Sequence, residues 1–231
     1  MLFKTFSKKC LLIGLVLLTQ FAYSQTGGQN NMAARILNAD YLNKTGDALS
    51  DVKGSPFLQE SWQKAYLYLN GGGKVFVEKM KLNGYTGEVH YIDDKGAELA
   101  TLEGSITTID LLNPKDTTQV IRSYQAYADP NKKNQILFYE LHNKGAFQIV
   151  SRLEKFIFTE NYDPLKGKTE QYFKVNTVYG IAIKGILSPI AEISYASVTN
   201  AHPALLQKAA SAKKIKLRSI NDVVLFLKEL N

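Results

Sequence analysis

The chain has 231 residues, 45% of them hydrophobic and 21% charged, an ordinary globular composition that argues against a disordered or fibrous protein and fits one domain. Its 28 basic residues exceed 21 acidic ones, a net charge of +7, and it has one cysteine, Cys10. One cysteine allows no internal disulfide and no multi-thiolate metal site.

Residues 1–24 read as a secretory signal peptide. Lys4, Lys8 and Lys9 make a basic start, Cys10 to Leu18 is apolar, and Ala22 and Ser24 stand at −3 and −1 of a cut before Gln25. The alternative is an uncleaved membrane anchor, which needs roughly 20 apolar residues. Cleavage removes three lysines and no acid, so 25 bases face 21 acids and the charge falls to +4. A basic pI of 9.2 is then weak grounds for nucleic acid as a partner, and none is expected. Cys10 leaves too, so the mature chain has no cysteine nucleophile or thiolate ligand. Cys10 also precedes the apolar core, the wrong side for lipid attachment.

Residues 25–53 read as a flexible leader, polar and glycine-bearing over 25–34, with a short helix as one reading of 35–51. A single β-rich domain is expected over 54–231, opening with the turn "GSPF". Strands are predicted at 64–69, 74–82, 85–92, 97–102, 105–111, 118–127, 135–141, 146–158, 170–178 and 181–187. Alternation puts Phe76, Met80 and Leu82 on one face of their strand and Lys79 and Lys81 on the other. In 85–92 it puts Tyr85, Val89 and Tyr91 on one side, with Thr86, Glu88 and His90 on a solvent-facing side. Turn signals separate the strands: "NPKD", "DPNKKN", "HNKG" and "DPLKGK". The fold class is therefore mainly β (α+β): an antiparallel sheet, open barrel or sandwich, with a C-terminal helix packed on it. Pro203 opens a helix through about Ser211. Ser219 caps a second, in which Ile220, Val223, Val224, Leu227 and Leu230 make one apolar face. The basic "AKKIKLRS" between them reads as a solvated linker, with contact to anionic lipid or glycan as the alternative.

Chemistry is sparse. "GEVHYIDDKG" sets His90 before Asp93 and Asp94, but residues three apart on a strand lie on opposite faces, and "DDKG" is a turn grammar repeated at Asn143-Lys144-Gly145. His90, His142 and His202 have no ligand spacing. "EGSIT" fails the hydrolase elbow, and "GGGK" lacks the rest of a phosphate loop, having Tyr68 and Val75 where Gly and Ser or Thr belong. Catalytic residues are unknown at this level, and no cofactor or metal is expected. The 13 tyrosines and 11 phenylalanines fit sheet packing or a concave face around an apolar ligand.

The segments "GSPFL", "KMKLNGYTGEVHYID", "FYELHNKGAFQIVSRLE" and "INDVVLFLKELN" resemble small exported β-rich proteins of the Bacteroidota, over most of residues 54–231. In those proteins a Gly-x-Pro-aromatic turn, a lysine-bearing strand, a hairpin and a terminal acidic-apolar helix follow in that order. The resemblance implies export and a β-rich fold and transfers no catalytic residue. A terminal helix differs from the β-rich sorting domains of that group's type IX secretion, which places the expectation in the periplasm or envelope, with the cell surface less favoured.

Three functions compete. The first is an exported, non-enzymatic binding or envelope-associated protein, holding an apolar small molecule or envelope component. The others are a hydrolase of an envelope polymer, using carboxylates distant in sequence that meet in space, and a structural subunit of an envelope complex. The export reading predicts an intact mass that begins at Gln25 for the secreted protein. A product that retains Cys10, or carries lipid, is the contrary result.

Overall fold

The computed structural model describes residue 49 and residues 51–129, 135–160, 169–211 and 215–231. The signal sequence read at 1–24, the leader as far as residue 48, the turns at 130–134 and 163–168 and the linker residues 212–214 fall outside them, as does residue 50. The described chain is mainly β: one large, mostly antiparallel open sheet followed by short helices.

The strands are β1 (Val52–Lys53), β2 (Gln63–Leu69), β3 (Lys74–Leu82), β4 (Val89–Ile92), β5 (Glu98–Ala100) and β6 (Ile106–Leu112). They continue as β7 (Val120–Ala128), β8 (Ile136–Leu141), β9 (Phe147–Thr159), β10 (Gln171–Ile183) and β11 (Ile186–Ile190). Spatial order is β1-β10-β9-β8-β7-β6-β2-β3-β4-β5, with β11 also on β10. Strands paired in the sheet are consecutive in sequence, apart from β2 beside β6 and the parallel pairing of β1 with β10.

Three apolar clusters stabilise this sheet. Strands β2 to β8 curl, and one face closes over Leu67, Met80, Val89 and Ile109, each fully buried. On the same face, past Glu140 and Ser151, Phe147, Ile149 and Ile181 meet the helices. The opposite face gathers Tyr127, Leu137, Tyr139, Val150 and Ala182.

Helix α1 (Tyr195–Asn200) is capped by Ser194, α2 (Pro203–Ala209) by His202, and α3 (Ile220–Leu230) by Ser219. Ser219 Oγ accepts from the Asp222 amide at 3.2 Å and the Asp222 carboxylate accepts from the Ser219 amide at 3.0 Å, a reciprocal box. At the far end Lys208 Nζ donates to the Leu230 carbonyl at 2.6 Å, and Asn231 Oδ1 accepts from the Phe147 amide at 2.8 Å. Among the described residues no helix is long and apolar enough to cross a membrane.

Four expectations change. Phe76 does not share a face with Met80: the β2–β3 register slips between Gln63 and Ala65, so an extra residue in β3 turns Phe76 outward, where it is 41% exposed beside Tyr66. The strands predicted at 170–178 and 181–187 are instead one strand through Gly180 and then a hairpin. At Gly180 a side chain would meet Leu187 Cδ1 at 2.6 Å, so the glycine marks close packing within a strand. The stripe of α3 rotates to take in Phe226, 1% exposed. The linker before α3 is no purely solvated segment, because Leu217 is buried and Ile215 packs beside it. The turn at Asp94-Lys95-Gly96 is as read, with Gly96 at φ +83°.

Val223, Phe226, Leu227 and Leu230 are the buried residues of α3, and each contributes roughly 1.5–3 kcal/mol by transfer. Leu227→Ala should cost about 2–5 kcal/mol. Leu227→Asp, or loss of 219–231, should remove a large share of a typical stability of about 5–15 kcal/mol. Urea melts with an apolar-surface dye test this. Parent-like melts and no extra dye binding would mean that α3 does not anchor the sheet.

Candidate functional site

His90 sits on β4 between β3 and β5, opposite Lys81 and Ala100. Alternation sends Val89 and Tyr91 to the core and His90 outward, as the sequence implies, yet His90 is only 6% exposed. The expected solvent-facing side is therefore covered. Phe57, bridged to Asn83 as an extension of the β2–β3 ladder, lays its ring edge-on to the imidazole at 4.9 Å. Nδ1 lies 2.9 Å from Glu98 Oε1 and Nε2 lies 3.8 Å from Glu88 Oε2. The second distance is ion-pair range, longer than a hydrogen bond, and Nε2 is buried without a hydrogen-bond partner.

Burial is the largest single influence on the His90 pKa and lowers it, but the carboxylates of Glu88, at ion-pair distance, and Glu98, at hydrogen-bond distance, together outweigh it, and the pKa rises above 6.5. The imidazole in turn lowers the Glu88 carboxyl below 4.5; burial opposes this, and the Thr86 hydroxyl, donating to Oε2 at 2.8 Å, assists.

Asp93 and Asp94 take no part. Asp93 Oδ1 accepts from the Lys95 amide at 2.9 Å and the Ala97 amide at 2.8 Å, so it holds the turn, while Asp94 is exposed. His202 is also structural, its Nδ1 accepting from the Ala204 amide at 3.1 Å at the head of α2. Among the described residues no three His, Cys, Asp or Glu side chains converge as metal ligands would.

Beside Glu88 opens a cleft of about 360 Å³. It lies where the β4–β5 end of the curled sheet approaches β8 without pairing to it. Glu103 bridges this seam, its Oε1 accepting from the Ile136 amide at 2.9 Å. Ile106 and Phe138 supply an apolar wall, and Glu88, Glu103, Thr86 and Thr101 supply polar groups. Leu102, 49% exposed, stands at the rim.

A second polar group lies between the two apolar clusters of the helix-bearing face. Ser151 Oγ is 2.7 Å from His142 Nε2. Beside them Glu140, opposite Ser151, pairs with Arg122 at 3.8 Å. Burial, with Arg122 adding to it and Glu140 opposing, lowers the His142 pKa, so this imidazole is neutral at pH 7. A serine beside a neutral histidine is half of a nucleophilic triad. Among the described residues no hydrogen bond reaches His142 Nδ1 to orient it, and Ser151 is only 7% exposed in mid-strand. The pair satisfies two polar groups inside the fold.

Sequence reasoning had placed Glu88 beside His90 but missed Glu98, Glu103 and the Ser151–His142 pair, all of which depend on contacts between strands. No protein-family model, curated protein or solved structure matches the chain.

The two shifts set a pH window for stability. His90 has a raised folded pKa, so its contribution is complete below 6.5 and is lost as pH rises through that folded value. Glu88 has a lowered one, so its contribution is complete above 4.5 and is lost as pH falls. The cluster therefore stabilises most between these limits. His90→Gln should cost up to roughly 2 kcal/mol near pH 6 and less at pH 9. Urea melts across pH check it; a cost that does not vary with pH would remove the charged pair as its cause.

Proposed function

We propose that this is an exported, non-enzymatic binding protein of the cell envelope whose ligand seat is the cleft between Glu88 and Glu103. The cleft is the observation that carries the reading. The interior of the curl is filled by its own side chains, Leu67, Met80 and Ile109 among them, so a ligand belongs at the seam. The lining joins Ile106 and Phe138 to two carboxylates and two hydroxyls, which suits a small amphipathic molecule better than a purely apolar one. Export is supported by the signal-peptide pattern in the sequence of residues 1–24 and by the resemblance to exported proteins of the Bacteroidota. A hydrolase resting on two carboxylates receives less support: Glu88 and Glu103 share the cleft, but His90 and Thr86 hold the Glu88 carboxyl below 4.5, so it is not kept as a proton donor.

A second reading, a structural subunit of an envelope complex, is favoured by the β9–β10 ribbon. Phe156 and Phe158, each 40% exposed, share one face there, and Val175, 56% exposed, lies with Leu153, 39% exposed, on the other.

Native mass spectrometry of the protein from its own periplasm tests the first reading. A small bound mass is expected, lost in Leu102→Trp, which fills the rim while the melt stays parent-like. A parent without bound mass, or a variant that keeps it, would sink the cleft reading. A stable protein partner in place of a small mass would favour the second.

A further inference from the structure

The geometry points to an organic cation as the ligand of this cleft, with Glu88 and Glu103 as its counter-ions and His90 as a positioning residue that makes its binding pH-dependent. This rests on the cleft being the ligand seat.

Charge is the first argument. Without residues 1–24 the chain carries 25 bases and 21 acids, a charge of +4, yet among the described residues the cleft is lined by two carboxylates and by no lysine, arginine or histidine. A cation entering it meets two negative charges, and an anion would meet the same two as repulsion.

The second argument is that both carboxylates are held in place. Glu103 spends Oε1 on the Ile136 amide. Glu88 has Oε2 committed to the Thr86 hydroxyl and to the side facing His90. Each therefore presents a fixed acid beside the apolar wall of Ile106 and Phe138. A positively charged head on an apolar body matches that pair of surfaces.

The third argument is the coupling. His90 does not line the cleft and touches the ligand only through Glu88. When protonated it is an internal counter-ion that competes with a bound cation for Glu88. When neutral it leaves the Glu88 charge to the cleft. The charged groups facing it are Glu88 at the entry to β4, Glu98 on β5 and Lys81 on β3, the last with its ammonium 5.3 Å from the Phe57 ring centre and 4.9 Å from that of Trp62. Lysine keeps its charge through the neutral range, so the change there comes from His90. Cation affinity should therefore rise with pH as His90 loses its proton, and binding below that point should release a proton.

The test is calorimetric titration of the full chain with benzyltrimethylammonium, whose own charge does not change with pH. Its neutral analogue 2-methyl-1-phenyl-2-propanol and the anion phenylacetate serve as controls. The expected order of affinity is cation, neutral, anion. Glu88→Gln and Glu103→Gln should each weaken the cation about tenfold, equal to about 1.4 kcal/mol, and leave the neutral compound unchanged. Glu103→Gln keeps an acceptor for the Ile136 amide, so it separates loss of charge from loss of fold. Parent affinity for the cation should rise roughly fivefold or more from pH 5.5 to 8, and His90→Gln should flatten that rise. A neutral analogue that binds as tightly as the cation overturns the ligand class and leaves the cleft reading standing. No binding by any of the three, together with no mass retained from the periplasm, overturns the cleft reading itself. An unchanged pH profile in His90→Gln overturns the coupling.

Discussion

Thirteen consecutive residue pairs join β9 to β10, from Phe147–Ile183 to Thr159–Gln171, and the two ends of this ribbon obey different constraints. Near Ile149 and Ile181 it is buried on both faces, under the helices on one side and against Tyr127, Leu137 and Tyr139 on the other. A strand buried on both faces needs apolar residues in succession, and "FQIV" and "GIAI" come close to that. Its partner β8 follows β9 only as far as Glu140–Ser151 and Leu141–Val150. Beyond that point the remaining strands must bury their apolar face by other means, and they do so by curling. The curl ends where β4 and β5 approach β8 without forming a ladder. The cleft is what remains at that seam, bridged by a side chain, Glu103, where a closed barrel would have backbone pairs. Helix packing at one end of the sheet and an open seam at the other thus have one origin.

Most of the sheet was legible because alternation and turn grammar are local. "DDKG" marks the β4–β5 turn and Ser219 the start of α3, whose reciprocal bond from Asp222 only the structure shows. The errors came from features with no local signature. A one-residue bulge in β3 reverses the facing of Phe76 relative to Met80, and nothing in "KVFVEKM" marks where it falls. Gly180 looks like a break because glycine usually weakens a strand, whereas here it admits Leu187. Helix α1 has only six residues and no apolar period to announce it. Phe226 joined the buried stripe because Tyr195 of α1, 5.5 Å away ring to ring, extends the surface on which α3 lies.

The candidate site was legible to the extent that it lies within one strand. Glu88 and His90 share a face by parity alone. That this face would be buried depends on Phe57, which reaches it through one isolated bridge to Asn83. Glu98 depends on the register that the Asp93 turn imposes, which sets His90 opposite Ala100 and so brings Glu98 within reach. Glu103 meets Ile136 across thirty-three residues of sequence. A cleft assembled from a hairpin end, a turn and a distant strand leaves no motif, because no two of its parts keep a fixed spacing.

His90 and His142 show why burial alone does not decide a charge. Burial is the leading influence on both, and it disfavours the imidazolium in each. His90 has one carboxylate at 2.9 Å and another at 3.8 Å, and their sum reverses the sign. His142 has Glu140 nearby, but Glu140 is itself paired with Arg122, whose positive charge adds to the burial effect. The closest partner of His142 is a neutral hydroxyl, which can accept or donate and so tolerates an uncharged ring. The pKa values of the two imidazoles therefore move in opposite directions from 6.5. Two carboxylates raise the one beside the cleft, and enclosure between the apolar clusters lowers the other.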